Sequence, residues 1–355
     1  MMKVFLALIL FSTSAFPCSS FQLRDSNSYV GKSYDWRFGD ALVIYNPSAL
    51  EKFSLTLKPE QKKIQWTSQY SSLTFNQYGL DFPNGGINEE GLTVEILWLD
   101  GSVFPAQDHK PILNELQWIQ YILDTQKTTL GAISTLENVR IEPVYAKVHY
   151  FVCDKSNDCA TLEFVNGKLV VGDYQKTGFE VITNNTLKDS LKYLSQYKNF
   201  GGKKDIDWKS EHSLDRFTRI NEFLRVYKQQ TDPISYAFKT LDSVWQKKDA
   251  LSLTSHTQWQ IVHDKANLET HFKTSFGNKE MASVSLLAFP PHCNNRFYFD
   301  LDNAKRGNII SKFKPISYEV NYKHVKKTLL KVMPLAPEDM VQSIAKAPFH
   351  FKCLQ

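Results

Sequence analysis

The sequence predicts an α+β chain in which sheets pack on each other and helices lie outside them. Three observations carry that reading. From residue 19 onward the apolar residues fall in short runs bounded by turn residues, which is strand spacing. Helical periodicity interrupts those runs in two blocks, at 113–139 and at 187–245. Across all 355 residues there is no internal repeat and no low-complexity linker, so one elaborated domain over 18–355 is expected.

The elements follow in order. Runs at 19–24 and 29–34 flank Asp25-Ser26-Asn27-Ser28, a hairpin turn, and 41–45 supplies another strand. Further strands are expected at 63–68 and 73–78. A turn-rich passage, 82–91, then feeds 92–99, apolar enough for an inner strand. In 113–123, Leu113, Leu116, Trp118, Ile119, Ile122 and Leu123 recur at three- and four-residue spacing, a helix, and 129–139 makes a shorter one. Strands return at 147–153, 160–165, 168–171 and 179–183, and helical patterns occupy 187–197, 214–227 and 234–245. The passage 201–207 is the best loop insertion, read as a surface loop ahead of a lid. The last third reads mostly as strands, including 258–264, 269–274 and 296–301. A final short helix opens over 334–340, with Pro337, Glu338 and Asp339 in its first turn.

Residues 1–17 carry one lysine, an apolar run from Val4 to Phe11 and small residues up to Ala15. This is a secretory signal pattern, too short for a permanent membrane helix. Cleavage is expected after Ala15, followed by loss of Phe16-Pro17, with attack of Cys18 on its own preceding peptide bond as one route. The expected location is secreted or periplasmic. A lipoprotein reading is weaker, because Ala15-Phe16-Pro17 is a poor context for lipid attachment. The formal charge is +5 with lysines scattered among acids, a solvated surface rather than a nucleic-acid site.

An odd number of cysteines, five, suggests one unpaired thiol. Cys153 and Cys159 sit where two strands meet at a polar turn, which favours a local bridge, and Cys293 with Cys353 would then close the tail. That pairing leaves Cys18 free, although four cysteines permit three pairings and arrangements with Cys18 bridged stay open.

If the leader is removed so that Cys18 comes first, one residue gains a nucleophile and a base together. A free thiol titrates near about 8.5 and an α-amine near about 7.7 to 8.0, so proton transfer between them is nearly balanced. Nucleophilic catalysis needs a base within reach, and an N-terminal residue carries its own. The plainer alternative is that Cys18 is a half-cystine of an exported, disulfide-stapled binding protein.

Four segments then carry a resemblance. They are Cys18 with Gly31-Lys32-Ser33-Tyr34-Asp35-Trp36, Ile87-Asn88-Glu89-Glu90-Gly91-Leu92, Ile182-Thr183-Asn184-Asn185, and Asp215-Arg216-Phe217. In order and spacing they resemble the choloylglycine hydrolase family, the linear amide C–N hydrolases that include penicillin V acylases and bile salt hydrolases. The resemblance implies a four-layer αββα sandwich of the N-terminal nucleophile hydrolase type. It also implies roles. Cys18 would attack the amide carbonyl, Asp35 would hold its amine, Asn184 would donate to the oxyanion, and Arg216 would lower the thiol pKa or orient Asp35.

Each role has a plainer rival. Asp35 alone reads as a turn carboxylate, Asn184-Asn185-Thr186 fits a glycosylation sequon, and Arg216 reads as a helix-surface arginine, as Arg219 does one turn later. Trp98 falls where the family places an asparagine or tyrosine that assists the oxyanion hole. An indole cannot replace that amide, though the backbone N–H can donate. For Trp98, acyl-pocket wall and plain core stand level. Lys32 stands where the family usually has arginine, keeping the charge but losing the planar fork. Together these departures favour the broader acylase branch over bile salts.

The expected function is therefore hydrolysis of linear amides through an S-acyl enzyme. Candidate substrates by resemblance are phenoxyacetyl penicillin, N-acyl homoserine lactones, conjugated bile acids and N-acyl lipids. No cofactor is expected, and the spacing of His256, His263 and His271 gives no metal motif. The expected partner is a small-molecule amide, with no nucleic acid and no membrane anchor; a homo-oligomer is left open.

Overall fold

The computed structural model describes residues 17–56, 60–174, 178–229, 232–248, 255–276 and 280–354, so nearly all of the expected leader lies outside the described residues. Seven helices are described: α1 (Gln117–Thr125), α2 (Thr129–Ser134), α3 (Leu187–Leu194), α4 (Ser213–Val226), α5 (Pro233–Asp242), α6 (Tyr318–Val332) and α7 (Glu338–Lys346).

Two large sheets lie face to face between helices, a four-layer αββα sandwich. The first sheet has seven strands, with Ser19–Arg24, Ser28–Trp36 and His256–Asp264 side by side near its centre. In the second, nine-stranded sheet, Val148–Cys153, Thr93–Trp98, Gly85–Asn88 and Ser72–Asn76 are neighbours. Helices α4 and α5 cover the outside of the first sheet, and α1 and α2 the outside of the second. Strands covered on both faces lose the simple polar alternation, and Ser28–Trp36 and His256–Asp264 are buried along their whole lengths.

Between the sheets the contacts are partly apolar and partly polar. The Phe75 and Phe272 rings meet edge to face at 5.5 Å. His263 Nε2 lies 3.2 Å from Glu95 Oε1, and the Lys32 ammonium donates to the Ile96 carbonyl. Buried polar groups need such partners, and here the partner comes from the opposite sheet. Within the first sheet Gly31 is required opposite Phe21, because a Cβ there would sit 2.6 Å from the ring of that cross-strand neighbour.

Several expected boundaries move. The first helix begins at Gln117 rather than 113, because Asn114 Oδ1 accepts the N–H groups of Leu116 and Gln117 and turns the chain there. Ile112–Leu113 pairs instead with Arg140–Ile141. The larger correction is α6, 15 residues long, in a tail read mostly as strands. Its stripe of Tyr318, Tyr322, Val325, Leu329 and Val332 recurs at four and three, and Ser317 caps it by accepting from Val320 N–H. Lys323, Lys326 and Lys327 interrupt that stripe along the sequence, so the segment reads locally as surface charge.

Among the described residues no helix is long and apolar enough to cross a membrane. The 201–207 passage is fastened by a Lys198–Asp205 ion pair of 2.6 Å and by Arg219, which donates to the Asp207 carbonyl at 2.8 Å. Arg219 is itself a correction. It is buried rather than on the helix surface, with Nε donating to the Ser243 carbonyl just beyond α5.

Candidate active site

Cys18 immediately precedes the first strand, and the register of Ser19 opposite Ser33 brings it beside the 34–35 step of the neighbouring strand. The Asp35 N–H donates to Cys18 Sγ at 3.5 Å, and the thiol reaches the Asp35 carbonyl at 3.7 Å. Cys153 is bridged to Cys159 and Cys293 to Cys353, which leaves Cys18 as the free cysteine. Burial pushes its thiol up, and the Lys32 ammonium is the strongest influence in the other direction.

Asp35 is wholly buried. Its Oδ1 accepts from Ser33 Oγ at 2.9 Å, whereas Oδ2 accepts from no group among the described residues. The Thr257 hydroxyl is close enough to help hold the charge but offers Oδ2 no well-aligned hydrogen bond. Burial pushes the carboxyl up to about 6, against the pull of the Arg216 guanidinium.

Arg216 enters from the first turn of α4 and has its donors divided among several elements. Nη1 donates to the Cys18 carbonyl at 2.6 Å and to Ser19 Oγ at 2.5 Å, Nη2 to Asn184 Oδ1 at 2.7 Å, and Nε to the Glu211 carbonyl at 3.1 Å. Burial lowers it to about 10, so it stays charged at neutral pH. Asn184 follows the short strand Val181–Ile182 and joins both sheets, its Nδ2 donating to the Trp98 carbonyl at 2.8 Å. A carboxamide nitrogen carries two hydrogens, so one is left for an incoming oxygen.

Of these residues Cys18 lines a cavity of about 1030 Å³, counting its open mouth. Trp98 forms part of its wall, tilted against Trp36 at 6.0 Å, with Nε1 donating to Asp100 Oδ1. Leu99 N–H is spent on the Lys147 carbonyl, so strand alternation turns the Trp98 N–H away from that neighbour. Lys32 does not line the cavity. It lies between the sheets, where its charge acts on the thiol through space.

Sequence reasoning passed over several cavity residues. Asn84 donates to the Tyr34 hydroxyl at 3.2 Å, and Tyr34 stacks on Trp259 with ring centres 4.1 Å apart. Glu115, an acid inside what read as a helix, accepts the N–H groups of Val144, Tyr145 and Ala146 and so fixes that rim. Nothing local signals this, since the partners lie about 30 residues away. Asn88, by contrast, belongs to a quoted motif but not to the site. Its Nδ2 donates to the carbonyls of Leu123 and Gln126 at the end of α1, and its Oδ1 accepts from Glu90 and Leu92 N–H. Gly91 completes that turn at φ 79°, a region that favours glycine.

The family model for linear amide C–N hydrolases, choloylglycine hydrolase family, matches residues 18–289. The chain belongs to the choloylglycine hydrolase family. A penicillin V acylase of Pectobacterium atrosepticum is 23% identical over 356 aligned positions, covering 87% of this chain and 93% of that protein. Among solved structures, the penicillin V acylase of Agrobacterium tumefaciens superposes with a TM-score of 0.72 at 22% identity, covering 85% of this chain and 98% of that one. A variant of the conjugated bile acid hydrolase of Clostridium perfringens gives 0.67 at 16% identity, covering 80% and 97%. At those identities the superpositions establish the fold, the N-terminal nucleophile hydrolase sandwich. Family members hydrolyse linear amide C–N bonds, and this chain is such a hydrolase. The family match starts at Cys18 and stops before α6 and α7, although both helices contribute to the cavity wall.

Proposed function

We propose that this hydrolase is an exported acylase of the penicillin V acylase kind, whose mature form begins at Cys18. Cys18 Sγ attacks the amide carbonyl, the C–N bond breaks, and the terminal amine passes the thiol proton to the departing amine. Water then cleaves the thioester, releasing the carboxylic acid and restoring the thiol. In this reading Asn184 donates to the oxyanion, where losing one donor typically costs about 10² to 10³ in rate.

One observation carries the reading. Asp35 Oδ2 is buried with only the Thr257 hydroxyl near it and accepts no well-formed hydrogen bond among the described residues, on the residue whose backbone holds the thiol. An unsatisfied buried acceptor is costly, and an ammonium on Cys18 would supply what it lacks. Two disulfides and the leader pattern support export, where such bridges persist. The apolar cavity and the penicillin V acylase relatives favour an aromatic or aliphatic acyl group over a conjugated bile acid.

Intact-mass measurement of the protein secreted from its full-length gene, together with hydrolysis of phenoxyacetyl, long-chain acyl and bile-acid amides, tests this. The expected product starts at Cys18, cleaves the acyl amides, and is inactive as Cys18→Ser. Fully active protein that still carries Pro17 would overturn the mechanism.

A further inference from the structure

We propose that the hairpin of α6 and α7 sets the acyl-chain length this enzyme accepts, admitting an uncharged, apolar acyl group that extends from Cys18 to the hairpin. The proposal rests on the acylase reading and adds the part of the chain that selects the substrate.

The two helices line the same cavity as the thiol. Val325, Leu329 and Val332 project from α6, Met333 follows at its end, and Met340 and Ile344 project from α7. All six lie beyond the family-matched stretch, so this wall is built by a segment the family pattern does not specify.

The wall is fixed in place. Asn321 is wholly buried, accepting the Leu80 N–H at 2.9 Å and donating to the Ala345 carbonyl at 2.8 Å, which ties α6 to the turn after Ser72–Asn76 and to α7. Lys327 and Lys331 both pair with Asp40, and Cys353 beyond α7 is bridged to Cys293. A fixed wall can stop a chain at a defined length, whereas a loose one would adapt to any.

Charge selects the chemistry of the occupant. Among the described residues no lysine, arginine or histidine lines the cavity, and the carboxylate of Glu115, the one acid among them, is already held by three backbone N–H groups. A charged acyl terminus would be buried there without a partner, which is strongly unfavourable. Methylene burial, in contrast, strengthens binding about fourfold per group. Specificity should therefore rise with chain length until the chain meets the hairpin and then stop rising.

The test uses the full secreted enzyme and one chromogenic amine carrying straight acyl chains from acetyl to tetradecanoyl. Plotted against chain length, log kcat/KM of the wild type is expected to climb and then break. Leu329→Trp should move the break to shorter chains and lower the longest substrates at least tenfold relative to the shortest, while Leu329→Ala should move it to longer chains. Met340→Trp repeats the test at a half-buried site should the substitution at the more buried Leu329 unfold the hairpin, which the thermal midpoint reports. A break that none of the folded variants moves, or an equal loss at every chain length, would overturn the proposal. A wild type that cleaves neither this series nor the phenoxyacetyl amide of the same amine would overturn the acylase reading itself, whereas cleavage of the phenoxyacetyl amide alone would overturn only the chain-length proposal.

Discussion

Asp35 shows at the scale of one residue how the site sets chemistry against stability. Burial holds its carboxyl at about 6, whereas an aspartate in an unfolded chain titrates near about 3.9. The folded form binds the proton more tightly, so this residue's contribution is fully present below about pH 4 and is lost as the pH rises toward 6. Above that window its ionisation costs on the order of 3 kcal/mol of folding stability. In the unprocessed chain, Asp35→Asn keeps an acceptor for Ser33 and should raise stability at pH 7.5, with the gain gone by pH 4. Urea titrations at the two pH values measure it, and equal stabilities at pH 7.5 would contradict it. Cys18 could be singled out from its place after the leader and from the cysteine count, and Asp35, Asn184 and Arg216 through the resemblance to the family. Arg219 could not, because its helix position says nothing about Ser243, an acceptor 24 residues away that packing brings within 3.0 Å.

At the scale of elements, the two disulfides differ in what they hold. Cys153–Cys159 closes six residues across facing strand ends, while Cys293–Cys353 spans 60 and encloses α6 and α7. In the chain-entropy model the longer closure contributes about 4 kcal/mol and the shorter about 2 kcal/mol. Replacing both Cys293 and Cys353 by serine should therefore lower the urea midpoint more than replacing Cys153 and Cys159; the reverse order would show that the tail is held by its side-chain contacts instead. Hairpins were legible in the sequence because turn residues and strand period are local signals. The start of α1 was not, since Asn114 ends one pattern and begins another within a single apolar run. The motif at Asn88 was legible as a motif, but its work is to fasten α1 to the inner sheet.

At the scale of the whole molecule, buried charges join layers that hydrophobic packing alone would leave free to slide. Lys52 reaches Asp81 and Asp124, each at 2.9 Å, and Trp66 Nε1 and Gln120 Nε2 donate to the same Asp124 carboxylate. This links a peripheral strand, the turn after Ser72–Asn76 and helix α1. Lys52→Met would leave two carboxylates buried together without their cation and should destabilise by about 3 to 5 kcal/mol, read from the urea midpoint. A loss below about 1 kcal/mol would mean that water reaches the pair. The sequence by itself marked Cys18 as the candidate nucleophile, favoured it as the unbridged cysteine and laid out the strands and helices ahead of the tail, because those follow from residue type and short-range spacing. Only the tertiary structure decided that Lys32 lies between the sheets with its charge acting on the thiol, that α6 and α7 wall the cavity that Cys18 lines, and that Arg216 grips the Cys18 carbonyl across 198 residues of chain. Such contacts depend on where separate layers come to rest against each other, and no local pattern along the chain records that.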